Sequence, residues 1–364
     1  MIKRELGAKR DVLPDVLKGF GIFLVVLGHC IQGSYNGADL DSSAYFDDAL
    51  YQFIYSFHMP LFMVISGYYA WNSIHRADTV QKRWKMITKK CIYLITPIVA
   101  WKFFDFLYWY ATGAYIYRGM GLLLIEFLTG VLANFWFLWA VLYSFILVCL
   151  MHYKFHDCIW LYVLVFIAMF FTPDGLGLMA CKFVLPYYLI GFYVNKNKVF
   201  LQDKMFALGN ENRTKWFAFL ASGIAFGVLV YFYDADSFVY LTGYKLIGKA
   251  YSRQLQIDLY RFLVGLCGIG FWSLFWGILL RYRRRWEYGV RLLAYLGSRG
   301  MGVYVVAGIP AQFLVFRLAE DGKPVYGMNL VQTVFILFWS LVIVEVLSRI
   351  KGVRLLVGQQ ERIF

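Results

Sequence analysis

Residues 17–35 read LKGFGIFLVVLGHCIQGSY, a stretch in which only Lys18 and His29 can carry charge. At about 1.5 Å per residue this run measures about 28 Å as a helix, close to the roughly 30 Å hydrocarbon core of a bilayer. It is therefore expected to cross a membrane. Its two ionisable residues are costly at that depth and are expected to face protein. The run follows a basic stretch, as a secretory signal would, but shows no clear small-residue cleavage site. An uncleaved first span is expected.

Similar apolar runs recur at 50–71, 91–112, 135–151, 157–172, 177–194, 216–233, 258–280, 292–315 and 328–348. The predicted fold is all-α: a polytopic membrane helical bundle of about ten transmembrane helices, forming a single domain over residues 1–364. Composition points the same way. Hydrophobic residues make up 61% of the 364, charged residues 16%, and mean hydropathy is +0.59. Soluble domains are about a quarter charged, so a disordered chain, a disulfide scaffold and an ordinary soluble enzyme are excluded. The run at 121–132 is too short to span and reads as an interfacial or re-entrant helix, with Gly130 marking its end. Six scattered cysteines without a CxxC spacing indicate neither a zinc site nor a disulfide framework, and no metal is predicted.

The net charge of +14 is informative through its placement. With the N-terminus inside, inner segments hold 25 of the 36 Lys and Arg residues and outer segments hold 6. That asymmetry obeys the positive-inside rule with both termini cytoplasmic and favours an even number of spans. The first outer loop carries Asp39, Asp41, Asp47 and Asp48 and no basic residue. The partner implied by this charge is the lipid bilayer, not nucleic acid.

Ionisable residues within the runs are few: Lys18, His29, His58, Lys102, Asp105, Lys182, Arg261, Arg299 and Glu345. Entering near Leu17, the first helix reaches His29 after about 18 Å; the second, entering from the other side near Leu50, reaches His58 after about 12 Å. Both imidazoles then lie in the outer half of the core at matched depth, on helices joined by a short loop. They form a candidate catalytic centre; the alternative is that each merely bonds a neighbouring helix. Lys18 lies three turns before His29 on the same helix face. It suits an anionic ligand entering from the cytoplasm, although position alone favours a lysine snorkelling to the interface.

The segment from Asp15 to His29 (DVLKGFGIFLVVLGH) resembles the opening of the integral-membrane acyltransferase family 3, particularly its fucose 4-O-acetylase-like branch. Residues 57–68 (FHMPLFMVISGY) resemble the branch's second-helix motif. Lys89-Lys90 with Pro97 and Trp101, Trp136-Phe137-Leu138, Leu185 to Gly191, and Leu296-Gly297 to Tyr304 resemble later family segments. There are departures: Lys18 stands where many members have Arg, and the family's late Ser and His are absent near Gly300 and Ala307. The resemblance implies transfer of an acyl group, usually acetyl, from cytoplasmic acyl-CoA (acetyl-CoA above all) to a carbohydrate hydroxyl, and a multi-pass protein of a bacterial cytoplasmic membrane.

On that footing His29 is the candidate general base, removing the hydroxyl proton as the thioester carbonyl is attacked. An acyl-His intermediate is the alternative and needs an extra step. His58 is left with three roles: orienting His29, binding acceptor or steadying the oxyanion. Lys18, Arg299, Lys89 and Lys90 are the expected donor-binding cations, with Asp15 pairing Lys18 at i,i+3. The basic loops at 76–90 and 281–291 either attract coenzyme A phosphates or simply enforce topology. Arg261 either binds an acidic sugar or pairs with an aspartate. Ser66, beside Gly67, reads as a packing or donor-channel residue. A glycan or lipid-linked sugar transporter is the runner-up; it predicts an inverted repeat with matched broken helices, which the sequence does not show. A scaffold in a polysaccharide assembly complex is the third reading.

Overall fold

In a medium without water, a segment satisfies its own peptide groups by becoming a helix, and every apolar run does so. The computed structural model describes residues 11–36, 43–113, 119–133, 135–175, 177–207, 211–282, 286–314 and 325–359. In chain order the helices are α1 (Leu13–Asn36), α2 (Ala49–Tyr55), α3 (His58–His75), α4 (Val80–Ala111), α5 (Met120–Ala133), α6 (Trp136–Phe155), α7 (Ile159–Phe170), α8 (Leu178–Lys196), α9 (Lys198–Ala207), α10 (Glu211–Tyr231), α11 (Val239–Thr242), α12 (Tyr251–Leu279), α13 (Glu287–Ser298), α14 (Gly300–Val306), α15 (Gly308–Leu314) and α16 (Tyr326–Arg349). Asp39, Asp41, Arg283 to Arg285 and the basic residues before Asp11 lie outside the described residues, as do Arg118, Arg317, Lys323 and Arg362.

Eight helical segments are long and apolar enough to span: α1, α2 with α3, α4, α6, α8, α10, α12 and α16. A ninth is broken, with α13 and the helix that follows it meeting at 66°. The 157–172 run forms only the short α7, below spanning length as a helix. Its flanks nevertheless bridge the two ends of α8. Asp157 before α7 contacts Lys196 at 2.5 Å, and Asp174 after it contacts Lys182 at 2.8 Å. Those lysines are separated by about 21 Å along α8. Among the described residues, α7 and the broken segment thus add to the eight long helices as passes along the bundle.

The two ends of the bundle are held differently. At the near end, Leu13 of α1 packs on Gly277 of α12, and the Tyr153 hydroxyl donates to the Ile74 carbonyl at 2.8 Å. At the far end, Tyr35 and Tyr326 both donate to Asp48 Oδ2 (3.0 and 2.7 Å), and Ser34 donates to Asn329 at 2.7 Å. Thus α1 begins, and α16 finishes, at the near end.

Three details depart from the sequence reading. The 50–71 run is not one helix but breaks at Ser56–Phe57. Pro60 in the first turn of α3 explains the break, because its ring excludes a helical bond to the Ser56 carbonyl. The 292–315 run breaks at Arg299. Gly130 does not end α5, which continues to Ala133; a Cβ there would meet Lys102 Cε at 2.3 Å, so the glycine makes room for that lysine.

Helix α1 is central and packs against α2, α3, α12, α13, α14 and α16. Two backbone-close crossings fix the frame around it. A Cβ on Gly19 would meet the Leu293 carbonyl oxygen at 1.9 Å, and one on Gly297 would meet that of Asp15 at 1.8 Å. The same reciprocity joins α3 to α8, where Gly67 faces Tyr188 O and Gly191 faces Val64 O, each at 1.9 Å. Small residues permit such approach where water supplies no driving force. The outer faces of α4, α7, α10, α12 and α16 are studded with exposed Phe, Leu, Trp and Val side chains, as a lipid-facing surface requires. Beyond α16, a single turn at Val353–Val357 folds back into the bundle. Trp101 Nε1 donates to the Leu356 carbonyl at 2.7 Å, and Val357 is buried beside Gly302.

Candidate active site

The far half of α1 carries an anomaly. Its residues from Leu24 to Gly28 are buried, as are Cys30 and Ile31, yet His29 between them is exposed. That exposure is unusual in a helix packed against α2, α3, α12, α13, α14 and α16. His29 Nδ1 lies 3.3 Å from Gln32 Oε1, one turn onward. An amide oxygen only accepts, so this contact places the proton on Nδ1 and leaves the Nε2 lone pair free.

His58 lies on the opposing element, fully buried and close enough to His29 for their charges to interact. Its Nδ1 donates to the Ile54 carbonyl at 2.7 Å, across the α2–α3 break. The break thus supplies a partner that fixes the ring and again leaves Nε2 as the acceptor. Tyr55 stands edge-on to His58 with centroids 4.8 Å apart, and its ring reaches α1 at Gly28, where a Cβ would meet Tyr55 Cε2 at 2.8 Å. Gly28, His29, Tyr55 and His58 therefore form one contiguous group. Gln32 and Tyr55 were not singled out from sequence. The signal available was spacing, each being three residues from a histidine.

The expected donor residues divide. Lys18 Nζ contacts Asp15 Oδ1 at 2.7 Å and lies 5.6 Å from the Tyr69 ring centroid on α3. Arg299 occupies the α13–α14 break and contacts Glu345 Oε1 at 2.7 Å, an oxygen that also accepts from Tyr295 at 2.5 Å. Gly297, two residues earlier, packs between Asp15 and Gly19 of α1, so Lys18 and Arg299 flank one helix crossing. Lys89 is exposed on α4, while Lys90 is half-buried with its ammonium 5.7 Å from the Phe145 ring. No described contact joins either to Lys18 or Arg299. Ser66 is half-buried beside the Gly67 crossing, about 12 Å along α3 from His58.

Arg261 is 2% exposed. It pairs with Asp258 at 3.2 Å, and its guanidinium donates to Gly243 O at 3.0 Å and to Thr242 Oγ1 at 2.5 Å. Pairing with an aspartate, one of its two expected roles, is present in this arrangement. Lys102 is neutralised by Asp105 at 2.8 Å, and Lys182 by Asp174 with the Thr172 carbonyl at 2.7 Å. Among the described residues no group of three or more His, Cys, Asp and Glu gathers to hold an ion.

Residues 12–349 match the family described as "Acyltransferase domain". Nodulation protein NolL of Mesorhizobium japonicum is 28% identical over 315 residues, covering 85% of this chain and 78% of that protein. Nodulation protein NolL of Sinorhizobium fredii is 34% identical over 149 residues, covering 38% of this chain and 36% of that protein. No solved structure matches the chain.

Proposed function

The chain belongs to the acyltransferase family that spans it, a multi-pass membrane acyltransferase, and from that premise we propose that it is an O-acetyltransferase of the cell membrane. It takes an acetyl group from cytoplasmic acetyl-CoA and delivers it to a hydroxyl of a cell-surface or lipid-linked carbohydrate. The observation that carries this reading is the exposed His29, set between buried neighbours on α1, near a fixed His58 on α3. Residues 1–364 act as one domain with the near end facing the cytoplasm, where the basic loops lie.

The chemistry follows from the tautomers. His29 Nε2 accepts the proton of the acceptor hydroxyl as its oxygen attacks the thioester carbonyl. The tetrahedral intermediate then collapses, the C–S bond breaks, and the proton held by His29 goes to the departing thiolate. Gln32 holds Nδ1–H through both steps. His58 Nε2, also an acceptor, orients a second hydroxyl of the same sugar. At the near end Lys18, steadied by Asp15, meets the donor's anionic portion together with Arg299. Lys18 precedes His29 by about 16 Å along α1, so the donor's extended arm bridges the two.

Replacing His29 with Ala tests the reading. A general base contributes about 100- to 10,000-fold, so kcat is expected to fall by that factor with protein level and acetyl-CoA affinity retained. Mass spectrometry of surface glycan should then lose the increment of one acetyl group. An unchanged kcat removes His29 from the reaction.

A further inference from the structure

Four aromatic side chains from four helices gather at the far end, beside the Tyr55–His58 pair. Tyr55 of α2 stacks on Tyr51 at 3.9 Å and touches His58. Tyr240 of α11 is 41% exposed, yet it lies within electrostatic reach of Tyr55 and Tyr304 and 6.1 Å from the Trp136 ring of α6. Tyr304 of α14 packs on Phe137 at 6.0 Å and is itself within electrostatic reach of Tyr55. Phe135, which sets the start of α6, holds a left-handed backbone (φ 54) and lies 6.0 Å from Tyr304. That conformation costs an aromatic residue energy and is retained where surroundings demand it.

These rings are not a lipid-facing belt, because they converge on one another from separate helices. We propose that Tyr55, Trp136, Tyr240 and Tyr304 form the acceptor subsite and that it takes the face of an uncharged pyranose. A pyranose presents an apolar C–H face and a polar edge; tyrosine presents an apolar ring and a hydroxyl on one side chain. Selection for a neutral sugar follows from the two buried cations of this region, Arg261 and Lys182. The Arg261 guanidinium is spent on Asp258, Thr242 and Gly243, and the Lys182 ammonium on Asp174 and the Thr172 carbonyl. The guanidinium bonds fasten the end of α11, so Arg261 is a positioning residue for Tyr240 and not a contact for a carboxylate. Phe238, 2% exposed against Phe46 and Tyr51, plugs the other end of α11.

This inference deepens the proposed acetyl transfer and is tested so that the two can fail separately. Full-length His29→Ala protein in detergent is mixed in turn with methyl galactoside, methyl fucoside, methyl N-acetylglucosaminide and methyl glucuronide. Saturation-transfer NMR with irradiation of aromatic protons reads which sugar protons contact rings. Transfer to at least one neutral glycoside is expected. It should fall about ten-fold in added Tyr240→Leu, with Tyr240→Phe retaining most of it and Trp136→Leu providing an independent second reading. Thermal melting of each variant separates lost contact from lost fold. Transfer to no neutral glycoside, transfer indifferent to both Leu variants, or preference for the glucuronide overturns the proposal. Because these proteins lack His29, the result does not depend on which group is the base.

Discussion

At the scale of single residues, the site rests on side chains whose partners differ in kind. His29 is open and His58 closed, and each is oriented through Nδ1 by an oxygen that only accepts. Lys18 was legible as a cation three turns from His29, and its contact with Asp15 follows from i,i+3 spacing. If it binds donor, Lys18→Ala should raise the KM for acetyl-CoA about ten-fold, the scale of one charge-assisted hydrogen bond, with a smaller change in kcat. An unchanged KM would leave it a snorkelling lysine. Arg261 predicts the opposite pattern. Arg261→Met leaves Asp258 buried without its cation, which costs roughly 3–5 kcal/mol and should appear as lost folded protein; adding Asp258→Leu should restore part of it. Recovery in the double variant marks a structural pair. Asp157 supplies a pH test. Burial pushes its carboxyl up, but hydrogen bonds from Lys196 and His152 outweigh that and hold it below its ordinary value. Its stabilisation is therefore present above the unfolded value of about 4 and is lost as pH falls through the lower folded value. The melting temperature should drop less steeply on acidification in Asp157→Asn than in the parent.

At the scale of elements, hydropathy located the long apolar helices, because burying a peptide group without water leaves few alternatives. It was blind to breaks. Ser56–Phe57 and Arg299 interrupt runs that are uniformly apolar or glycine-rich, and both interruptions shape the site. One frees the carbonyl that His58 uses; the other sets Arg299 beside the α1 crossing. Pro60 was the available cue for the first. The short α11 was also unreadable: VYLT has no periodicity of its own and takes its place from Phe238 and Arg261. Glycine function was legible only in part, since sequence does not say which helix approaches. The crossings make a sharp prediction. Gly297→Leu or Gly67→Leu forces a branched side chain where even a Cβ meets backbone below 2 Å. Overpacking of a well-filled contact costs about 1–3 kcal/mol, and here the neighbour is backbone that cannot rotate away. Lower melting temperature and poor yield are expected. Gly289→Ala on α13, with open space around it, should melt no lower than the parent. Equal effects of the three would remove the crossings as a source of stability.

At the scale of the molecule, charge asymmetry implied an even number of spans; among the described residues eight helices are long and apolar enough to cross, nine with the broken pair, and α1 starts and α16 finishes at one end. Which end faces the cytoplasm is a question for labelling. A cysteine placed at Asp236 should react with a membrane-impermeant maleimide in intact cells, whereas one at Lys82 should react only after permeabilisation; the reverse pattern inverts the orientation. What the sequence concealed at this scale was convergence. Tyr55, Trp136, Tyr240 and Tyr304 are scattered over some 250 residues in a chain where one residue in five is aromatic, and no local pattern distinguishes them from lipid-facing rings.

The inward turn at Val353–Val357 bears on how the protein can be handled. Its carbonyl is claimed by Trp101 and its last valine closes over α14, so this stretch is wedged masonry, not a dangling tail. A purification handle or reporter spliced directly after Arg349 would evict that wedge and loosen the seam beside Arg299, half a bilayer away from the chemistry it would appear to spare.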